Sequence, residues 1–181
     1  MKIIKLKIIF LIFIFILFTI FATGCINNSE NKNNYAEDFE FTLIDETTKS
    51  MSSFKGSVVL LDLFGVNCQP CQYQMLVLDE ISTNYDGKNL EIVSIDVWIT
   101  YGETLELVND FIDYFLQELS IDIDWTVGVD DSEGTLFNRY VPEDKGIPMM
   151  YILDENGNIY YSHSGYLEYS QLSEKLDELL N

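Results

Sequence analysis

Residues 58–71 read V-V-L-L-D-L-F-G-V-N-C-Q-P-C, and the fold follows from how that stretch is understood. Val58 to Phe64 is a continuous apolar run interrupted only by Asp62, the pattern of a strand buried on both faces. Gly65 breaks the run, and Cys68 and Cys71 follow with two residues between them. Pro70 stands where the first turn of a helix should begin, a position whose N–H has no intrahelical partner anyway. A buried strand thus delivers two thiols to a helix N-terminus. There, unpaired N–H groups and the helix dipole favour a thiolate over a thiol.

Other meanings of the pair have to be weighed. Cys-x-x-Cys can be half of a zinc site, but tetrahedral zinc needs two further ligands. Cys25, His163 and carboxylates remain, none paired at ligand spacing. A purely structural disulfide is also conceivable, although closing so short a loop constrains the unfolded chain little. Beside a β/α pattern, redox chemistry is the preferred meaning.

The residues around the pair resemble the thioredoxin superfamily. Asp62 stands six before the first cysteine, where the superfamily carries an acid on its central strand. Gly146-Ile147-Pro148, in K-G-I-P-M-M-Y-I-L-D, is similar to the segment that faces the dithiol there with a cis proline. Gly165, Leu167, Leu172 and Leu176 follow the pattern of the last helix. The resemblance covers about residues 37–181. With the N-terminal signal it is strongest to the membrane-tethered, extracytoplasmic TlpA/ResA-like branch. It implies an α/β, thioredoxin-like fold with a central mixed β-sheet flanked by helices on both faces. Asn67 departs from the pattern, standing where a tryptophan is usual, and the loss of that aromatic lid predicts a more open disulfide. Tyr140 to Pro148 is eight residues where six is usual, which reads as an insertion beside the site.

The 181 residues divide into a signal or anchor (1–24), an Asn-rich linker (25–36) and one domain (37–181). Lys2, Lys5 and Lys7 precede an apolar run from Ile8 to Phe18, the shape of an export signal. Ala22-Thr23-Gly24-Cys25 resembles a lipoprotein processing box, making Cys25 the candidate lipidation site. Unprocessed, the segment makes a short membrane anchor near the lower length limit. Either way the expected location is the extracytoplasmic face of the cell membrane, with the odd third cysteine explained by lipid. Formal charge is −20. With three lysines and no acid in residues 1–24, the remainder holds seven basic against thirty acidic residues. That excludes nucleic acid and anionic headgroups as electrostatic partners. A monomer is expected.

Along the domain, Phe39-x-Phe41-x-Leu43 alternates as a first strand, and Phe54-Lys55-Gly56 turns into the central one. Met75, Leu76, Leu78, Ile81 and Tyr85 fall at helical spacing until Asp86-Gly87. Leu90–Val97 and Trp125–Val129 read as strands, with an amphipathic helix over Thr104–Leu119 between them. A short helix is predicted over Asp131–Tyr140. Met149–Leu153 and Ile159–His163 form a hairpin about Asn156-Gly157. A helix over Leu167–Leu180 closes the chain.

The chemistry these residues predict is thiol–disulfide exchange with protein disulfides, in turn with a membrane redox partner. Cys68 is the nucleophile and Cys71 the resolving thiol. Asp62, raised in pKa by burial, is the candidate base for Cys71, the alternative being a core acid held by a hydrogen bond or by a lysine such as Lys88. Gln74 stands where the tethered branch often has a glutamate, and it cannot take a proton. The resemblance implies that Ile147 and Pro148 receive the substrate chain. Gln69 and Pro70 carry no charge, leaving the thiolate to the helix end and suggesting a weak oxidant. No cofactor is expected beyond the Cys68–Cys71 disulfide, and no metal. The alternative is copper delivery, with Met149, Met150 and His163 as soft or borderline ligands near two thiolates. A peroxidase ranks last, Arg139 being the sole arginine.

Overall fold

In the computed structural model, residues 36–180 are described; the signal, Cys25 and nearly all of the linker lie outside them. Seven strands form one sheet: β1 (Glu40–Leu43), β2 (Thr48–Ser50), β3 (Val58–Phe64), β4 (Leu90–Asp96), β5 (Thr126–Val129), β6 (Met149–Leu153) and β7 (Ile159–Ser164). Their order is β2-β1-β5-β4-β3-β6-β7. β3, β4 and β5 run parallel, whereas β6 lies antiparallel to β3, and β1 antiparallel to β5. Four α-helices connect them: α1 (Gln69–Asn84), α2 (Leu105–Leu119), α3 (Thr135–Tyr140) and α4 (Tyr169–Leu180).

Handedness distributes the helices. The crossovers β3-α1-β4 and β4-α2-β5 step the same way across the sheet, so both helices land on one face. β6 runs antiparallel to β5, outside that rule, and α3 packs on the other face through Leu136 and Tyr140. The first face buries Val58, Leu60 and Phe64 of β3 against Met75, Leu78 and Ile81 of α1, Phe111 of α2, and Leu172 and Leu176 of α4. The opposite face buries Val59, Leu61 and Leu63 beneath Phe39, Phe54, Leu136 and Tyr140. The expected mixed sheet with helices on both faces is therefore present.

All seven residues of β3 are buried. Each large apolar side chain in such a position contributes about 1.5–3 kcal/mol, so Leu60, Leu61, Leu63 and Phe64 together outweigh the cost of enclosing Asp62. Local signals fix the ends. Thr104 caps α2, its hydroxyl accepting from Leu107 N at 3.2 Å, and the buried Asp130 carboxylate accepts from the N–H groups of Leu136 and Phe137 at the start of α3. In the β6–β7 hairpin, Asp154 accepts from the N–H groups of Asn156 and Asn158, and Gly157 adopts φ 85°.

Two differences from the sequence expectations are informative. β2 is a three-residue polar edge strand, Thr-Lys-Ser, followed by a 3₁₀ turn over Met51–Phe54. A strand that short carries no alternation to read. Leu76, placed by spacing on the buried stripe of α1, is 40% exposed. The stripe instead runs through Cys71, Gln74, Met75, Leu78 and Ile81, and Leu76 lies about 100° away from Met75 around the helix.

Candidate active site

Cys68 ends the turn that follows β3, and its own sulfur caps α1, accepting from Cys71 N at 3.3 Å. Pro70 sits in the first helical turn, as its missing N–H requires. Cys68 and Cys71 are joined as a disulfide with Cα atoms 5.2 Å apart. Cys71 is fully buried and Cys68 is only 6% exposed. The open disulfide predicted from Asn67 is therefore not found. Asn67 itself is exposed. Trp98, just past β4, lies over Gly65, and Ile147 approaches the same glycine.

That approach explains Gly65. A methyl group there would lie 2.8 Å from two atoms of the Trp98 ring and 3.1 Å from Ile147 Cδ1. Gly65→Ala is expected to displace the indole and cost about 1–3 kcal/mol, read as a lower urea midpoint together with altered indole fluorescence.

The Ile147-Pro148 peptide is cis, as the resemblance implied. It places the Ile147 carbonyl oxygen 3.8 Å from Cys68 Sγ. The end of β7 holds this loop: the Ser164 hydroxyl accepts from Gly146 N at 3.2 Å and donates to Gly146 O at 2.9 Å, while Gly165 N donates to Pro148 O at 2.8 Å.

Asp62 lies on the β3 face that packs with Cys68 and Cys71, between Leu60 and Phe64 of the same face. It is wholly buried, and among the described residues neither carboxylate oxygen meets a partner in hydrogen-bonding geometry. Desolvation lifts its pKa to about 7, opposed by the nearby Ser94 hydroxyl, which stands close without forming a well-directed hydrogen bond. Ser94 is the residue directly across the ladder in β4, and it accepts from Trp125 Nε1 at 3.0 Å. Lys88 is not a partner of Asp62. It is exposed in the turn before β4, six residues from Ser94 and hence about 20 Å along the chain.

Gln74 has a structural task. Its side-chain oxygen accepts from Leu167 N at 2.8 Å, and its amide nitrogen donates to Leu167 O at 3.3 Å, so one buried amide satisfies a peptide unit ahead of α4. A carboxylate there could accept but not donate. Gln74→Glu is expected to destabilise the fold by about 1–3 kcal/mol at neutral pH. Burial raises the new carboxyl's folded pKa above its unfolded value, so stability is retained below about pH 4 and lost as pH rises through the folded value. Denaturant titrations at pH 4 and pH 8 read the difference.

Other candidates sit apart. Asp62 is paired with Met150, and Met150 with His163, across neighbouring strands, but Met149 turns to the opposite face. His163 stacks on Tyr161. Arg139 pairs with Glu37 at 3.4 Å. Two residues unmarked in the sequence reading adjoin the site: Asp96 and Glu103, both buried beneath the Val66-Asn67 turn. Asp96 carried the same signal as Asp62, a carboxylate inside an apolar strand, whereas Glu103 lies in a loop and carried none.

A parallel-cored mixed sheet, a Cys-x-x-Cys disulfide capping a helix and a cis proline against it define a thioredoxin-like redox enzyme. The chain belongs to the AhpC/TSA family, whose sequence model matches residues 33–162. Among curated proteins it is 25% identical over 146 residues to the thiol-disulfide oxidoreductase ResA of Bacillus thuringiensis subsp. konkukian, covering 80% of this chain and 76% of the relative. To ResA of Oceanobacillus iheyensis it is 27% identical over 149 residues, covering 80% and 70%. Among solved structures it is similar to the pneumococcal exposed lipoprotein thioredoxin Etrx1 of Streptococcus pneumoniae, with TM-score 0.59, 26% identity and coverage of 79% and 100%. StoA of Bacillus subtilis shares the fold at TM-score 0.60 and 20% identity, covering 77% and 96%. These relatives support the TlpA/ResA-like branch.

Proposed function

We propose that this protein is a membrane-tethered, extracytoplasmic thiol–disulfide oxidoreductase that exchanges disulfides with protein substrates through Cys68-Gln-Pro-Cys71. The observation that carries the reading is Cys68 Sγ at the cap of α1, bridged to Cys71 and facing the Ile147 carbonyl at 3.8 Å.

In the reduced enzyme the Cys68 thiolate attacks one sulfur of a substrate disulfide. That bond breaks, a Cys68–substrate disulfide forms, and the departing substrate thiolate takes a proton from water. Ile147 and Pro148 line the approach, where the backbone of an extended substrate can pair with them. Asp62 accepts the Cys71 proton, and the Cys71 thiolate attacks Cys68 Sγ. The second substrate sulfur leaves as a thiolate that takes a proton from water, and the enzyme returns to its disulfide form two electrons poorer. A membrane dithiol donor restores it; no cofactor beyond the cysteine pair is required.

Support for tethering is the lysine-flanked apolar run and Cys25, together with the similarity to a protein described as an exposed lipoprotein. Among the described residues no helix is long and apolar enough to cross a membrane, which leaves the anchor to residues 1–24. Labelling intact cells with a membrane-impermeant disulfide-reducing and thiol-alkylating pair tests the location: modification of Cys68 supports it, and protection until lysis contradicts it. Loss of lipid incorporation in Cys25→Ser tests the anchor. Copper delivery would draw on the two thiolates and His163; of the nearby methionines, Met150 shares the face of the cysteines and Met149 lies on the opposite one. Copper titration of the reduced protein distinguishes the two.

A further inference from the structure

Val66 and Asn67 are the central residues of the tight turn closed by Cys68 N donating to Gly65 O at 3.1 Å. Both of their N–H groups donate to a single side chain. Glu103 Oε2 accepts from Val66 N at 2.7 Å, and Glu103 Oε1 accepts from Asn67 N at 2.8 Å and from Asn67 Nδ2 at 2.7 Å. Glu103 is 4% exposed. It is presented by a compact loop in which a 3₁₀ turn over Ile99–Tyr101 ends at Gly102, with φ 97°, and Glu103 N returns to Trp98 O.

Behind it stands a second buried carboxyl. Asp96 accepts from Trp98 N at 2.8 Å, reaches Val66 N at 3.4 Å and shares a hydrogen bond with Glu103. Two carboxyls in contact in a buried site cannot both ionise cheaply. Burial and Glu103 push Asp96 up to about 8. Burial also opposes charge on Glu103, but the hydrogen bonds from Asp96, Asn67 and Val66 outweigh it and hold that carboxylate below its usual range. The three N–H donors on Glu103 favour it as the charged member of the pair, with Asp96 the more readily protonated one.

We propose that Glu103 is a positioning residue that sets the redox poise of Cys68: it engages the Val66 and Asn67 N–H groups of the turn leading into Cys68 and holds a fixed negative charge beside the residue preceding it. This rests on Cys68–Cys71 being the reactive pair. A thiolate at the α1 cap is stabilised by the helix end and opposed by Glu103. The opposition raises the Cys68 thiol pKa and disfavours the reduced enzyme, so the dithiol is a stronger reductant than the helix cap alone would make it. Asn67 is part of the device. Its side-chain amide donates to Glu103 Oε1 and partly offsets that charge.

The test is the Cys68–Cys71 reduction potential, measured on the full chain against glutathione buffers, with the Cys68 thiol pKa read from alkylation rates. Glu103→Gln keeps the size and removes the charge; the equilibrium should shift about tenfold toward the dithiol, about 30 mV, with a lower Cys68 pKa. Asn67→Ala, at an exposed position, strips a donor from Glu103 and should shift both quantities the opposite way, about threefold. Asp96→Asn leaves a neutral donor in place and should move the potential less than twofold. If Glu103→Gln fails to fold, the Asn67→Ala sign decides. Shifts of the same sign in Glu103→Gln and Asn67→Ala, or none in either, overturn the proposal. So does an Asp96→Asn shift as large as that of Glu103→Gln. A pair that cannot be reduced reversibly in the unaltered chain would instead overturn the redox reading itself.

Discussion

Cys71→Ser is expected to stop turnover at its midpoint. Cys68 keeps its place as the cap of α1, where its sulfur meets Cys71 N and the Ile147 carbonyl, so attack on a substrate disulfide proceeds. The resolving thiol is gone, and the Cys68–substrate disulfide accumulates. Steady-state exchange should fall at least about 10³-fold, the scale for losing a group that acts as part of a catalytic unit. Cys68→Ser should lose as much activity while trapping nothing. Gel-shifted, reductant-sensitive adducts in Cys71→Ser and their absence in Cys68→Ser read the order of the two thiols. Adducts of equal yield in both would reverse it. Applied to whole cells, the same variant names the client proteins.

Asp62→Asn should separate stability from catalysis. A carboxyl whose pKa rises from the ordinary value near 4 to about 7 on folding costs the fold roughly 4 kcal/mol once it has to ionise. The folded pKa is the raised one. The wild-type protein is thus most stable below about pH 4, loses stability as pH climbs from there to about 7, and is flat above. The asparagine variant has no such loss. It should be more stable than wild type by about 2–4 kcal/mol at pH 8 and equal to it near pH 4, as denaturant titrations would show. Resolution of the mixed disulfide should slow by about 10²-fold, the lower range for removing a general base. A variant no more stable at pH 8 would mean that Asp62 is not enclosed as described. An unchanged resolution rate would mean that another group takes the Cys71 proton.

How much of this was legible in the sequence follows from where the information resides. β3 and the start of α1 are dictated locally: an apolar run, a break, a proline in a helical first turn. Asp62 could be read for the same reason, since a charge inside such a run must be buried. The cis proline and its place opposite the dithiol came from resemblance, because nothing in Ile147-Pro148 by itself specifies the isomer or a contact 79 residues away in the chain. What local pattern misled on was exposure. Asn67 suggested an uncovered disulfide, yet both cysteines are buried, with the distant Ile147 carbonyl 3.8 Å from Cys68 Sγ. Glu103 was invisible for a related reason: it is a loop glutamate like many others until the fold brings it under the Val66-Asn67 turn. Gln74 was recognised as unable to accept a proton, but its partner, the Leu167 peptide, belongs to another element. Side chains whose role depends on one long-range neighbour leave no periodic trace.

The most direct test of the central claim is equilibration of the full chain in thiol–disulfide buffers of graded potential, followed by alkylation and mass measurement of the Cys68–Cys71 peptide. The account predicts one cooperative two-electron transition between disulfide and dithiol, fully reversible. It also predicts that Cys68 is the faster-alkylated thiol of the reduced pair. A pair that stays oxidised across the whole range, or Cys71 reacting ahead of Cys68, would contradict it.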